Sequence, residues 1–192
     1  MEIVFAVALL YFLFLAMAGR SFAPWVPARR RDIQRILQLS ELKNSEKFYD
    51  LGCGDGRVAL YAARKMPGAR VIGIELAPPL WAWCALRKLA GSIGNVKFKL
   101  KSLFKEDLSD ADVIYIFGMP KTIKAKVKRK LEKELKPGAR VLSYAFQIDG
   151  WKPSKADKPS DRDVTVYVYE ISDTQRMANS QLLMTNQAPI TQ

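Results

Sequence analysis

The sequence predicts a doubly wound α/β fold built on a mostly parallel sheet, and three observations predict it. Apolar runs alternate with helical patterns between residues 30 and 171, in a βαβα rhythm. Runs such as "RVIGIE" (70–75) and "DVIYIF" (112–117) are apolar almost throughout, as strands covered on both faces are. Three glycines at alternate positions, Gly52, Gly54 and Gly56, separate the first such run from the first helical pattern. In such sheets the ligand binds there, at the carboxyl ends of the strands.

Residues 30–42 carry Ile33, Ile36, Leu37 and Leu42 at helical spacing, which predicts a helix leading into the domain. Phe48–Leu51 is the first strand, and 57–66 a helix ending near Pro67-Gly68. Residues 70–75 form the second strand, and 79–92 a helix with Gly91 and Gly94 around its end. "NVKFKLK" (95–101) is a strand of alternating character, and 112–117 a strand that is nearly all apolar. Residues 121–136 set Ile123, Val127, Leu131 and Leu135 on one helical face, closed by Pro137-Gly138. Residues 139–146 and 164–171 are strands with no helix between them, so the last is expected to be antiparallel and at an edge. Residues 173–192, rich in Gln, Asn, Thr and Ser, are expected to be a disordered tail. There is no internal repeat.

A chain of 192 residues suits one domain with extras. It contains no histidine, which excludes Ser-His-Asp and Cys-His catalysis and histidine-based zinc sites. Cys53 and Cys84 are too few for a structural zinc site, so no metal is expected, and both read as reduced thiols. The formal charge of +12 favours phosphate-bearing partners, nucleic acid or anionic lipid.

Residues 3–19 are an unbroken apolar run of 17, roughly 26 Å long as a helix and just enough to cross a thin hydrocarbon core. Arg20 ends it, and Pro24, Trp25, Pro27, Arg29, Arg30, Arg31 and Arg35 follow. This predicts one N-terminal transmembrane helix over 1–20, a juxtamembrane linker over 21–29 and a soluble domain over 30–172. The arginines place that domain on the cytoplasmic side, or on the matrix side of a mitochondrial membrane. A signal peptide cleaved near Ala16-Met17-Ala18 is the competing reading, disfavoured because Met1-Glu2 lacks Lys and Arg. A buried core helix is the third.

The glycine stretch reads D-x-G-x-G-x-G from Asp50. A dinucleotide fingerprint needs its third glycine at residue 57, which is Arg57. A phosphate-cradling loop needs Gly-Lys-Ser/Thr, which is absent. Glu75 ends the second strand, 23 residues after Gly52, where a carboxylate can accept both hydrogen bonds of a ribose diol. Asp50 adds negative charge, awkward for a pyrophosphate and suited to an ammonium or sulfonium.

Together these residues resemble motifs I and II of the class I S-adenosylmethionine-dependent methyltransferases, over about residues 30–171. The resemblance implies a Rossmann-like seven-stranded sheet in the order 3-2-1-4-5-7-6 with the last strand antiparallel. "YDLGCGDGR", "VIGIEL", "DLSDADVIYIFGMP", "KLEKELKPGARVLSYAF" and "GWKP" are more closely similar to the membrane-anchored protein lysine methyltransferases of the ATP synthase c-ring protein and adenine nucleotide translocase and their prokaryotic relatives. That implies S-adenosylmethionine as cofactor and lysines of a membrane protein as substrate. The cofactor residues implied are Tyr49, Asp50, Leu51, Gly52, Cys53, Gly54, Asp55, Gly56, Glu75, Leu76, Ser102, Leu103 and Phe117. Ser102 stands where the broader fold often has an adenine-contacting Asp.

Phe117, Gly118, Met119, Pro120 and Trp151 are expected to line a substrate channel, with core packing as the alternative for Phe117 and Trp151. None of them is a general base, so no catalytic residue is assigned. Lys121, Lys124, Lys126, Lys128, Arg129, Lys130, Lys133 and Lys136 make either a solvated helix face or a surface lying against anionic lipid. No aromatic residues interleave with them, so nucleic acid is disfavoured. Other methyl acceptors (a lipid, a small molecule or RNA), a non-catalytic binding protein and, remotely, a nicotinamide oxidoreductase are the alternatives.

Overall fold

The computed structural model describes residues 27–117 and 126–172, together with Phe5. The expected anchor (Phe5 apart), most of the linker, the tail and residues 118–125 therefore lie outside the described residues. Among the described residues, no helix is long and apolar enough to cross a membrane.

The elements are α1 (Arg30–Ser40), β1 (Lys47–Leu51), α2 (Arg57–Lys65), β2 (Arg70–Glu75), α3 (Pro78–Ala90), β3 (Val96–Leu100), β4 (Val113–Phe117), α4 (Lys128–Glu134), β5 (Arg140–Tyr144), β6 (Lys155–Asp157) and β7 (Val166–Glu170). The seven strands form one sheet in the order β3-β2-β1-β4-β5-β7-β6. β1 lies between β2 and β4 and is parallel to both, with Asp50 level with Gly73 on one side and Tyr115 on the other. β7 runs antiparallel to β5 and to β6.

Strand alternation divides the core into two layers. Phe48, Val71, Val113, Tyr115 and Leu142 pack with Ile33 and Ile36 of α1 and Val58, Ala59, Ala62 and Ala63 of α2. Tyr49, Leu51, Ile74, Ile114, Ile116 and Val141 pack on the other face with Val127, Leu131 and Leu135 around α4. The alanines of α2 let that helix lie close to β1, and Arg64 and Lys65 in its last turn suit the negative end of its dipole. α1 is tied down by its buried Asp32, which accepts the Tyr144 hydroxyl at 2.7 Å and pairs with Arg35 at 3.3 Å.

Two sequence expectations need correction. The strand at 164–171 is antiparallel as expected, but it lies inside the sheet, because β6 pairs with its outer side. β6 was missed because its three residues, Lys-Ala-Asp, carry no apolar alternation and pair along one side only. The basic face around α4 is also not uniformly free. Lys130 turns inward to the Glu106 carbonyl and to Glu134 at 2.6 Å, and Lys136 pairs with Asp112 at 2.5 Å.

Gly73, in mid-strand, is required by its neighbour. A Cβ there would lie 2.6 Å from Cδ1 of the Phe98 ring and 3.0 Å from Cys53 Sγ. Gly73→Ala is expected to destabilise the fold by about 1–3 kcal/mol, the usual range for overpacking. An unchanged denaturation midpoint would show that Phe98 does not lie against Gly73.

Candidate active site

Between β1 and α2 the chain turns through Gly52, Gly54 and Gly56, whose φ angles are 78°, 58° and 71°. All three are left-handed, a region that costs side-chain-bearing residues roughly 1–2 kcal/mol each. The alternate spacing is thus a run of left-handed turns that only glycine adopts cheaply. Space is a second constraint at Gly56, where a Cβ would stand 2.8 Å from Cys84 Sγ and 2.9 Å from Phe98 Cζ.

The loop is fastened to β2. The Gly52 and Cys53 N–H groups both donate to the Ile74 carbonyl at 2.9 Å. Gly54 N–H donates to Glu75 Oε2 at 2.8 Å, and the Leu76 and Ala77 N–H groups donate to Glu75 Oε1, each at 2.8 Å. Glu75 therefore joins the glycine loop to the start of α3. A carboxylate has about four acceptor positions, and three are used here. The expected pair of ribose hydrogen bonds has one open position on Oε2, and the second requires an N–H to give way.

Asp50 is 1% exposed, and its Oδ2 accepts the Ala59 N–H at 3.2 Å. Burial raises its pKa, the Ala59 hydrogen bond offsets part of that, and the carboxylates of Glu75 and Asp55 raise it further, to about 8. Asp55 is held by arginines. Arg57 Nε and Arg87 Nη1 reach its carboxylate at 2.9 and 3.0 Å, and Arg57 Nη1 continues to the Ala28 carbonyl at 3.1 Å. Cys53 and Cys84 are buried free thiols. Cys84 Sγ lies 3.2 Å from the Gly54 carbonyl. A hydrogen bond to Cys84, together with burial, pushes the Cys53 thiol well above its usual range.

The remaining predicted residues divide. Leu76 is exposed beside the Glu75 carboxylate. Lys101 N–H donates to the Glu75 carbonyl at 3.0 Å, which sets Ser102 next to that strand end. There Ser102 caps the turn at 103–105, its Oγ accepting from Phe104 N–H. Tyr49, Leu51 and Leu103 belong to the core layer of α4, and the Tyr49 hydroxyl donates to Asp110 at 2.8 Å. Phe117 packs at the margin of the other layer, edge-on to Tyr144 at 5.6 Å and stacked on Phe146 at 6.0 Å. Trp151 is buried in the α4 layer, edge-on to Tyr169, with Nε1 donating to Glu132 at 2.9 Å. Gly118, Met119 and Pro120 lie outside the described residues. Sequence reasoning missed Arg57, Arg87, Cys84 and Phe98. Only Arg57, directly after the glycines, carries a local signal.

These residues fit S-adenosylmethionine. The glycine turns let a ligand approach the backbone, Glu75 keeps an acceptor position, and the buried Asp50 carboxyl is stabilised as a carboxylate by a nearby cation. The same parts recur in known proteins. The ANTKMT methyltransferase domain family matches residues 50–155. A protein-lysine N-methyltransferase of Saccharolobus islandicus is 34% identical over 153 residues, which are 78% of this chain and 94% of that protein. The Homo sapiens lysine N-methyltransferase named for the c-ring protein of ATP synthase is 31% identical over 151 residues, which are 78% of this chain and 62% of that protein. The chain thus spans less than two thirds of the human relative's length. A solved RNA methyltransferase from Salinibacter ruber, in complex with S-adenosyl-L-homocysteine, superposes with a TM-score of 0.72 at 34% identity, covering 77% of this chain and 95% of that one. The chain belongs to the ANTKMT family of S-adenosylmethionine-dependent methyltransferases.

Proposed function

We propose that this protein transfers methyl groups from S-adenosylmethionine to lysine side chains of a membrane protein, held to the membrane by its apolar N-terminal run. The observation that carries the cofactor reading is the loop whose three left-handed glycines are locked to Glu75. The lysine reading draws on the Saccharolobus islandicus and human relatives, both named as lysine methyltransferases. The anchor draws on residues 3–19 alone. Methyl transfer to RNA is the second reading, favoured by the name of the Salinibacter ruber structure.

Bound S-adenosylmethionine supplies an activated methyl group on a sulfonium. The protein supplies position. Its glycine loop, Glu75 and the first turn of α3 form one hydrogen-bonded unit that fixes the adenosine end, and Asp50 provides buried negative charge behind the loop. A target lysine must first lose its proton. Near its ordinary pKa of 10.4 only about one in a few thousand is neutral at pH 7, so an apolar channel beside Phe117 assists by disfavouring the charged form.

The direct test incubates the full chain with methyl-labelled S-adenosylmethionine and membranes, then separates protein, lipid and nucleic acid. Label in a protein band, placed on lysine by mass spectrometry, is expected. Label in RNA or lipid instead would overturn the substrate and keep the cofactor.

Asp50 gives a second prediction. With a pKa of about 8, its carboxyl is protonated in about nine of ten unliganded molecules at pH 7. A carboxyl raised in the fold favours the folded state when protonated. The unliganded protein therefore loses stability as pH climbs from about 4 to about 8. Binding a cationic cofactor ionises the group, so calorimetry at pH 7 in buffers of different ionisation enthalpy is expected to show proton release that Asp50→Asn abolishes. Equal proton release in both proteins would separate Asp50 from the cofactor cation.

A further inference from the structure

α3 is built inside out. Of its 13 residues only Cys84 is fully buried. Pro79, Ala82, Trp83, Leu86, Leu89 and Ala90 are all exposed and follow one another at helical spacing. Trp83, Leu86 and Leu89 keep 52%, 55% and 78% of their surface in solvent. The charged residues of the helix, Arg87 and Lys88, are half-buried, with Arg87 turned in to Asp55. Leu76 before the helix, and Leu100 and Phe104 after it, are exposed as well. Trp81 Nε1 ties α3 to the edge strand through the Phe98 carbonyl at 3.2 Å, bringing Leu100 to the same flank. Scattered exposed leucines are ordinary, but a continuous apolar stripe marks a contact surface.

Charge says what it contacts. Residues 76–105 contain six Lys and Arg (Arg87, Lys88, Lys97, Lys99, Lys101, Lys105) and no Asp or Glu. An apolar stripe of Trp and Leu bordered by one sign of charge suits a bilayer interface, where the stripe enters the headgroup layer and the lysines meet anionic lipid. The point where the apolar N-terminal run joins the domain agrees. Ala28 is packed into the core, and its carbonyl is linked through Arg57 and Asp55 to Arg87 of α3. The 17-residue apolar run thus enters the domain on the flank that carries the stripe.

We propose that the outward face of α3, with Leu76, Leu100 and Phe104, is a docking surface that lies in the interfacial layer of an anionic bilayer. α3 begins at Glu75, so this orientation opens the cofactor site at headgroup depth, within reach of a lysine near a membrane surface. The docking surface is separate from the lysine reading and holds for any methyl acceptor at that depth.

The test uses the full chain carrying an environment-sensitive nitrobenzoxadiazole label at Leu86→Cys or at Leu89→Cys, with Ser160→Cys as the control. Ser160 is exposed in the segment between β6 and β7, at the far end of the sheet from α3. Vesicles of phosphatidylcholine and phosphatidylglycerol carry a nitroxide just below the headgroups. Quenching and a blue shift at 86 and 89, with neither at 160, are expected. A Leu86→Asp/Leu89→Asp chain is expected to bind the same vesicles about ten-fold or more weakly, from the loss of two apolar insertions. Labels at 86 and 89 that stay unquenched while the chain floats with vesicles would overturn the proposal. A blue shift already present without lipid would overturn it too, because the chain itself or a second copy would then cover the stripe. S-adenosylhomocysteine binding in lipid-free buffer, measured on the same proteins, separates loss of docking from failure of the cofactor site.

Discussion

The Glu75 carboxylate is the joint on which the site depends. It ends β2, and its two oxygens take N–H groups from Gly54 on one side and from Leu76 and Ala77 on the other. The chain leaves β1 through a loop with little side-chain packing of its own, and backbone groups at a loop need partners when they are buried. Glu75 supplies one from the neighbouring strand, at a place 8% exposed. Charge-assisted bonds of this kind are about twice as strong as neutral ones. The same carboxylate thus shapes the loop and retains an acceptor position toward a ligand.

The other features of the site follow from that constraint. A loop drawn against β2 brings Gly56 onto Cys84 and Phe98, so Gly56 has no room for a larger group. Three carboxyl groups, Asp50, Asp55 and Glu75, are then gathered in little volume. Asp55 is neutralised by Arg57 and Arg87, and Glu75 by backbone donors. Asp50 has only the Ala59 N–H in support, and its raised pKa is the electrostatic consequence. A cation arriving there relieves repulsion that the empty loop retains.

Much of this was legible in the sequence. The strands with apolar runs, the glycine spacing and Glu75 are local patterns, and each maps to one physical cause: burial, positive φ and a carboxylate at a strand end. β6 was not legible, because Lys-Ala-Asp is placed by its pairing with β7 and by nothing in its composition. Trp151 and Phe117 read alike as aromatic residues near one strand end, but packing assigns them to opposite faces of the sheet. The Asp55–Arg57–Arg87 link joins residues 32 apart, beyond any local pattern. The outward leucines of α3 were invisible for a simpler reason. Periodicity shows that a helix has an apolar face, and only the packed structure shows that this face points outward.

Glu75 is therefore the residue to alter first. Calorimetric titration of S-adenosylmethionine into Glu75→Gln keeps the side-chain volume but replaces one acceptor oxygen with a donor facing backbone N–H groups. The loss of a charge-assisted hydrogen bond is expected to weaken binding by about 1.5–3 kcal/mol, on the order of ten- to a hundredfold. Affinity equal to that of the unaltered protein would contradict the placement of the cofactor against the glycine loop.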